Sequence, residues 1–539
     1  MAIDVTQRRS PGWWMQRLFN QLADRTRRNR LTLLHDFERG EAPLPDGLEA
    51  ARESFRIFLR QSRSNFAGLI VNAVAQRMTP TGFRTAVDND ETGDGEAAAL
   101  WKRAGMDVRS TDLHKLMLTM GEAYVIVGPV DAETGAPVIT AEDPRTMVGE
   151  PDPAIPWRLQ AALKVQHDDV DGVDRAYLYL PGKVYVATRM NQVGTPLGTS
   201  VPNPGAAFVM SFDPRSWEWD TERGGASGQA LPHSRMPVVR FVNEDGRGEF
   251  EEHIDLLNRI NNVVLHRMTI STLQAYKQRA IKGVPDKYPA GHPKAGQPID
   301  YTGVFSMDPA ALWLLPATAD IWESGQVDLS GILQEAKDDI QTLSAVSKTP
   351  MSQFMPSGQN QSAEGASAQR EDLVFKCEDR ITRTSHPWAW VMSLAFEVLG
   401  MRERADLAKL EVMWRSPMRL SLAERADAST KATDIPWRTR MSKIWEFPMA
   451  DIDRMQTERA DEMLFEAQLA AQAAQLVGSD LAPQGPPGSR PPRPQQDVPA
   501  ASAQVPQVPT PADPLATPAQ GLPTPTPATA RPARTARAG

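Results

Sequence analysis

GEFEEHIDLLNRINNVVLHRMTISTLQAYKQRAIKG, residues 248–283, is the stretch whose reading decides the fold. It holds no proline and no internal glycine; Gly248 stands at its start, and Gly283 followed by Pro285 closes it. Glu249, Glu251 and Glu252 crowd the first turn and Lys277, Arg279 and Lys282 the last, the charge order a helix dipole favours. Apolar residues recur at Phe250, Ile254, Leu257, Ile260, Val264 and Met268, a helical spacing of three to four. At roughly 1.5 Å per residue the stretch predicts a helix of about 50 Å. Its other faces carry His253, Asn258, Arg259, Asn261, Asn262, His266 and Arg267. A helix with so thin an apolar stripe needs neighbours along its whole length. It is either one long element of a large α-helical domain or a wall helix repeated by symmetry around a channel.

The chain of 539 residues has room for two or more domains, and 41% hydrophobic with 23% charged residues is the balance of a soluble globular protein. A net charge of −8 argues against a general basic surface that grips nucleic acid, though not against a passage for it. The single cysteine, Cys377, excludes an internal disulfide framework and suits a reducing cytoplasm. No apolar run is long enough for a membrane span, and the Arg-rich first thirty residues lack the apolar segment of a secretory signal.

Outward from the long helix, residues 8–40 read as a helix with Arg17, Arg25, Arg27, Arg28 and Arg30 opposing Trp14, Leu18, Leu22 and Leu31. Such a basic amphipathic segment is a surface helix or a contact to membrane or nucleic acid. After the turn at 40–47, helical pattern resumes over 55–78 and stops at Thr79-Pro80-Thr81-Gly82. Residues 120–243 read as a β-rich insertion, with strands at 123–127, 161–165, 176–180, 184–188, 207–212 and 237–241. Asp168-Asp169-Val170-Asp171 lacks the Gly and closing Glu of a calcium loop and reads as a solvated turn. A Pro/Gly-punctuated module follows the long helix, with strand-like 304–307 and 312–316, and then a second helix from about Leu329 to Lys348. The loop 349–365 is uncharged until Glu364. A third helix, about Ala366–Leu399, carries Leu373, Cys377, Ile381, Trp388 and Met392, with a kink expected at Pro387. Mixed structure at 402–447 and a helix at 452–477 precede a Pro/Ala/Thr/Gln tail, expected to be disordered, in which five Arg oppose three Asp.

The chemistry of common enzymes is missing from the pattern. There is no phosphate-binding G-x-x-x-x-G-K-[ST], no H-E-x-x-H, no Cys/His cluster of zinc spacing and no G-x-S-x-G. His253 and His266 lie too far apart to ligate a metal together, and Cys377 reads as a small packed residue. No cofactor, metal or catalytic residue is expected.

Four stretches in order resemble the portal (head-to-tail connector) proteins of tailed bacteriophages, closest to the siphophage type: RNRLTLLHDFERGEAPLP (28–45), NFAGLIVNAVAQRMTPTGFR (65–84), HKLMLTMGEAYVIVG (114–128) and VVRFVNEDGRGEFEEHIDLLNRIN (238–261). The likeness covers roughly residues 20–475 and leaves out the tail. It implies an α+β ring subunit: a wing over 1–247, including the β-rich part 120–243; a stem helix at 248–283; a clip at 284–327; a second stem helix at 328–348. It further implies a tunnel loop at 349–365, a long helix and wing return at 366–447, a crown helix at 448–477 and a tail at 478–539.

By the same resemblance the chain is expected to form a dodecameric ring at one capsid vertex, a structural DNA channel for genome packaging, head–tail joining and ejection. Implied partners are the terminase large subunit, a head–tail adaptor, the major capsid and scaffolding proteins, and double-stranded DNA passing without sequence specificity. The location is the virion, and the host cytoplasm during assembly. Met351, Gln353, Phe354, Gln359, Asn360 and Gln361 are expected to line the channel, a loop free of Lys and Arg being suited to DNA that must leave as readily as it enters. Phe250, Ile254, Leu257, Ile260, Val264 and Met268 are expected to pack the stem, and Lys287, Tyr288, His292, Lys294 and Trp313 to meet the clip's partner. The competing readings are a metal-dependent nuclease using Glu251/Glu252 or Asp338/Asp339, and a peripheral membrane scaffold using residues 8–31.

Overall fold

The computed structural model describes residues 3–43, 53–87, 93–190, 212–275, 279–301, 320–323, 325, 328–355, 363–418, 420, 422–447 and 449–479. Asp24 divides the expected helix 8–40 into α1 (Pro11–Ala23) and α2 (Arg25–Glu38). Ser10 caps α1 by accepting from the Trp13 amide, while Asp24 accepts from Arg27, so one short carboxylate starts a second helix where the pattern ran on. The expected helix 55–78 is likewise two, α3 (Glu53–Gln61) and α4 (Phe66–Ala75), the second capped by Asn65. Its expected stop signal is instead the start of strand β1 (Pro80–Arg84), which pairs with residues 411–414. Helices α5 (Gly95–Arg103) and α6 (Met106–Met120) follow. At Gly121 (φ +85°) a Cβ would fall 2.1 Å from the Gly246 carbonyl oxygen, so only glycine allows the turn out of α6.

The β-rich expectation for 120–243 holds, with more strands than the pattern showed. Strands β2 (Glu122–Val130) and β3 (Pro137–Glu142) are followed by β4 (Met147–Pro151), β5 (Leu159–Asp168), β6 (Val173–Leu180) and β7 (Lys183–Met190). Short β8 (Glu218–Trp219) and β9 (Gln229–Ala230) lie against β7, and β10 (Val238–Val242) returns to pair with β2. The result is an antiparallel sheet β4-β5-β6-β7-β8 and a smaller one, β10-β2-β3. Of the expected strand 207–212, only Phe212 lies within the described residues, where it is buried. Asp168 and Asp171 close their turn by binding Arg175.

The long helix is shorter than expected: α7 spans Ile254–Ala275, about 33 Å at the standard rise, after a single tight turn at Glu251–His253. Arg279–Lys282 is not its basic last turn but strand β11, paired antiparallel with β12 (Asp320–Glu323). The register sets Arg279 opposite Glu323 and Lys282 opposite Asp320, a strand pairing across 38 to 44 residues that no local pattern reveals. The expected strands 304–307 and 312–316 lie outside the described residues. The chain returns along α8 (Ser330–Val346), makes the short α9 (Met351–Phe354) and enters α10 (Ala363–Val398), which continues through Pro387. Strand β13 (Glu411–Trp414), α11 (Leu422–Lys431), α12 (Trp437–Lys443) and α13 (Met449–Ser479) complete the described elements; residues 480–539 of the tail lie outside them.

Apolar burial builds two main cores. In the larger, Phe83, Trp101, Trp388, Phe241, Phe250 and Phe396 join α4, α6, α7 and α10 to the small sheet. In the other, α1 lays Trp14, Met15, Leu18, Phe19 and Leu22 on Leu163, Val165, Ala176 and Leu178 of the large sheet. Three of the basic residues of α1 and α2 point to acids of the same chain: Arg17 to Glu150 (2.7 Å), Arg27 to Glu122 (2.9 Å), Arg30 to Glu251 (2.6 Å). That arrangement makes the 8–31 segment a folded part of the body and engages three arginines of the face on which the membrane-scaffold reading relied. No helix among the described residues is long and apolar enough to cross a membrane.

At the centre of the larger core the Trp388 Nε1–H donates to His114 Nε2 at 2.9 Å, which requires a neutral imidazole. Burial pushes the His114 pKa down to about 4. Because the folded value lies below the ordinary 6.5, the stabilisation is complete above 6.5 and is lost as pH falls towards 4. Lowering the pH from 7 to 5 is expected to remove about 2 kcal/mol of folding stability through this residue. Urea unfolding of the wild type against His114→Gln, which keeps an acceptor for Trp388 but does not titrate, checks this; equal pH slopes would refute it.

Candidate functional site

The segment from the start of α7 to the start of α10 carries most of the expected functional residues, and a buried charge cluster holds its base. Gly248 leads in because a Cβ there would meet the Thr119 carbonyl oxygen at 2.2 Å. The Glu249 amide then donates to the Leu118 carbonyl at 2.7 Å, turning the side chain inward. Its Oε2 meets Lys376 Nζ at 2.6 Å, and its Oε1 meets Arg380 Nε at 2.6 Å and Asn243 Nδ2 at 3.0 Å. The three charged side chains are 1%, 7% and 9% exposed, so the pair energies are not diluted by water. Burial pushes the Glu249 carboxyl up, the Lys376 and Arg380 charges pull it down, and the net displacement is downward. Its contribution to stability is therefore present above the ordinary carboxylate pKa and lost as pH falls through the lowered one.

Lys376 also donates to the Ser347 carbonyl at 3.0 Å, so the same ammonium fixes the end of α8. There Lys348 adopts φ +52°, and the turn is closed by Ser344 Oγ donating to the Thr349 carbonyl at 2.7 Å. Higher up, Arg259 of α7 forks onto Asp339 of α8 at 2.9 and 2.6 Å. With Arg259 half in solvent, that pair sets helix register more than it adds stability.

Of the expected stem residues, Phe250, Leu257 and Ile260 are buried in the chain's own larger core, Ile254 is half-buried against it, and Val264 and Met268 are half-buried farther out. Val263 and Leu265, which the stripe missed, are buried too. The stripe thus serves the chain's own core at its base.

Of the expected channel residues, Phe354 is corrected. It is buried and packs on Phe66 at 5.5 Å, because α9 turns it back onto α4, so it does not line an open surface. Met351 is half-buried against the same core and Gln353 is half-buried; Gln359, Asn360 and Gln361 lie outside the described residues. In the 284–327 module Lys287, His292 and Lys294 are exposed, Tyr288 stacks on His292 with ring centres 4.3 Å apart, and Trp313 lies outside the described residues.

The acids of the nuclease reading are taken by other partners: Glu251 by Arg30, Glu252 by Arg247, Asp339 by Arg259, while Asp338 accepts from Gln334. Among the described residues no group of three or more His, Cys, Asp or Glu is placed to hold a metal. Cys377 is fully buried, with its thiol pushed up to about 11. Lys376, Arg380 and Asn243 were not singled out from the sequence. A signal for Arg380 was present, since Leu373, Cys377, Arg380 and Thr384 share one helical face and a cation in an apolar stripe asks for a buried anion.

Residues 46–463 match the family model described as Phage portal protein, SPP1 Gp6-like. The chain belongs to that family of phage portal proteins, which is structural, and whose members are virion components. It is 23% identical over 375 residues to the portal protein of Mycobacterium phage D29, covering 67% of this chain and 71% of the relative. To the portal protein of Mycobacterium phage L5 it is 22% identical over 418 residues, covering 74% and 77%. Among solved structures it is similar to a chain in the neck of a native gene transfer agent particle computed with C12 symmetry, at TM-score 0.37 and 13% identity, covering 72% of this chain and 89% of that one.

Lys376→Met keeps the stem of the side chain while leaving Glu249 with one cationic partner and the Ser347 carbonyl with only the longer 3.3 Å bond from Thr349 Oγ1. A loss of about 3 kcal/mol in folding stability is expected. Chemical denaturation of the purified protein measures it; a loss below about 1 kcal/mol would mean the cluster is not the anchor described here.

Proposed function

We propose that copies of this chain close into a dodecameric ring at one capsid vertex, whose channel admits double-stranded DNA during packaging, joins head to tail and releases the genome. The observation that carries the reading is the family match across residues 46–463. In this reading residues 1–247 and the return after α10 make the wing, α7 and α8 the two stem helices, and the module at 284–327 the clip. The clip meets the terminase large subunit first and a head–tail adaptor later, while α13 is the crown. Capsid and scaffolding proteins surround the vertex, assembly takes place in the host cytoplasm, and the channel is not a catalyst.

The tunnel loop is the part nearest the cargo. Its sequence from Pro350 to Ala363 holds no charged residue and offers Gln353, Gln359, Asn360 and Gln361. Each phosphate neutralised by a cation adds salt-sensitive grip, so an amide-lined constriction lets DNA slide in both directions. With Phe354 turned into the core, Gln359, Asn360 and Gln361 become the principal lining residues, and Met351 and Gln353 lie at the loop's root.

Native mass spectrometry with negative-stain images of the same fractions is expected to find closed rings with a central hole; a protein that stays monomeric at every concentration would refute the ring. Replacing Gln359, Asn360 and Gln361 together by Lys is expected to make the ring retain linear duplex DNA. The logarithm of affinity should then fall with log salt by about 0.9 per phosphate held. DNA retention unchanged from wild type would take those residues out of the constriction.

A further inference from the structure

The cleft beside the Glu249 cluster is incomplete in the single chain. It encloses about 430 Å³ between the turn before α7, the end of α8 and the flank of α10. Its wall includes Asn243 and Ser347, each buried, and both Asn243 Oδ1 and Ser347 Oγ lack a hydrogen-bond partner among the described residues. Buried acceptors and hydroxyls are rarely left so. At its mouth stand two large apolar side chains, Val346 (49% exposed) and Phe375 (60% exposed). Beside them Asp245 (φ +51°) and Lys348 (φ +52°) hold left-handed backbone that non-glycine residues seldom adopt, and neither forms an ion pair among the described residues. A second cleft of about 420 Å³ adjoins the first at Lys348.

We infer that this cleft is a socket for the neighbouring copy of the chain, completed by a hydrogen-bond-donating side chain whose stem lies on Phe375 and Val346. The inference rests on the ring reading and deepens it. Acidic residues outnumber basic ones along the lining, which disfavours a nucleic-acid phosphate as occupant. The mouth offers an anion and a cation, Asp245 and Lys348, unpaired among the described residues and beside apolar surface, the composition of an interface centre and its polar rim. In a heterologous ring every copy presents the same cleft to the same face of its neighbour, so one donor satisfies all the sockets at once.

The test uses the full chain. Phe375→Asp and Val346→Asp, made separately, alter exposed side chains and are expected to leave circular dichroism and the urea midpoint of the monomer unchanged. Each is expected to raise the concentration for half-assembly, read by native mass spectrometry, at least tenfold. Variants that assemble at the wild-type concentration overturn the socket while leaving the ring reading intact; a wild type that never assembles overturns both. A benzophenone amino acid at position 375, in rings mixed from light and heavy isotope-labelled chains, is expected to give light–heavy cross-links. Cross-links confined to one copy, for example to residues 480–539, would assign the cleft to the chain's own tail and refute the proposal.

Discussion

The structure depends most on one buried carboxylate. Glu249 sits where the small sheet ends and α7 begins, and its two oxygens are taken by Lys376 and Arg380 of α10 and by Asn243 after β10. Removing three charged groups from water is costly, and their mutual attraction offsets the cost only with close geometry and few unmet hydrogen bonds. Contacts of 2.6 Å to both cations meet that condition. Since Lys376 also holds the Ser347 carbonyl, the beginning of α7, the end of α8 and the long α10 are fixed at one point.

A second set of ion pairs does the same for the chain's other half. Glu122 receives Arg27 at 2.9 Å and Arg240 at 2.7 Å, joining α2 to the small sheet, and Arg17 on Glu150 ties α1 to the edge of the large sheet. The two hydrophobic cores supply most of the driving force, and these bridges fix how helices are seated on sheets. Three arginines of the basic stripe of the first helices are thereby engaged within the fold.

The expected channel segment was legible only in part, and particular residues show why. The absence of charge from Pro350 to Ala363 is a property of composition and needs no fold to be read. Phe354 was misassigned because its fate depends on Phe66, almost three hundred residues earlier, which the short turn of α9 brings within 5.5 Å. The spacing of the apolar stripe is a local signal, but whose core it serves is a question of three-dimensional packing: Leu257 and Ile260 are covered by the same chain. Arg279–Lys282 looked like the basic end of a helix because charge and spacing are local signals, whereas its strand partner begins at Asp320.

By itself the sequence determined the alternation of helical and β-rich regions, the strands at 123–127, 161–165, 176–180, 184–188 and 237–241, the lack of enzyme motifs and the family resemblance. Each depends on neighbours along the chain or on a motif of fixed spacing. The tertiary structure decided where helices break, which acids meet which bases, and which apolar residues are covered. Asp24 caps rather than continues because its carboxylate finds the Arg27 amide. Glu249 is an anchor rather than a solvated first-turn acid because Lys376 and Arg380 arrive from a distant helix. Periodicity fixes which face a residue occupies; only packing fixes what that face meets, since burial energies are set by partners that chain order does not bring together.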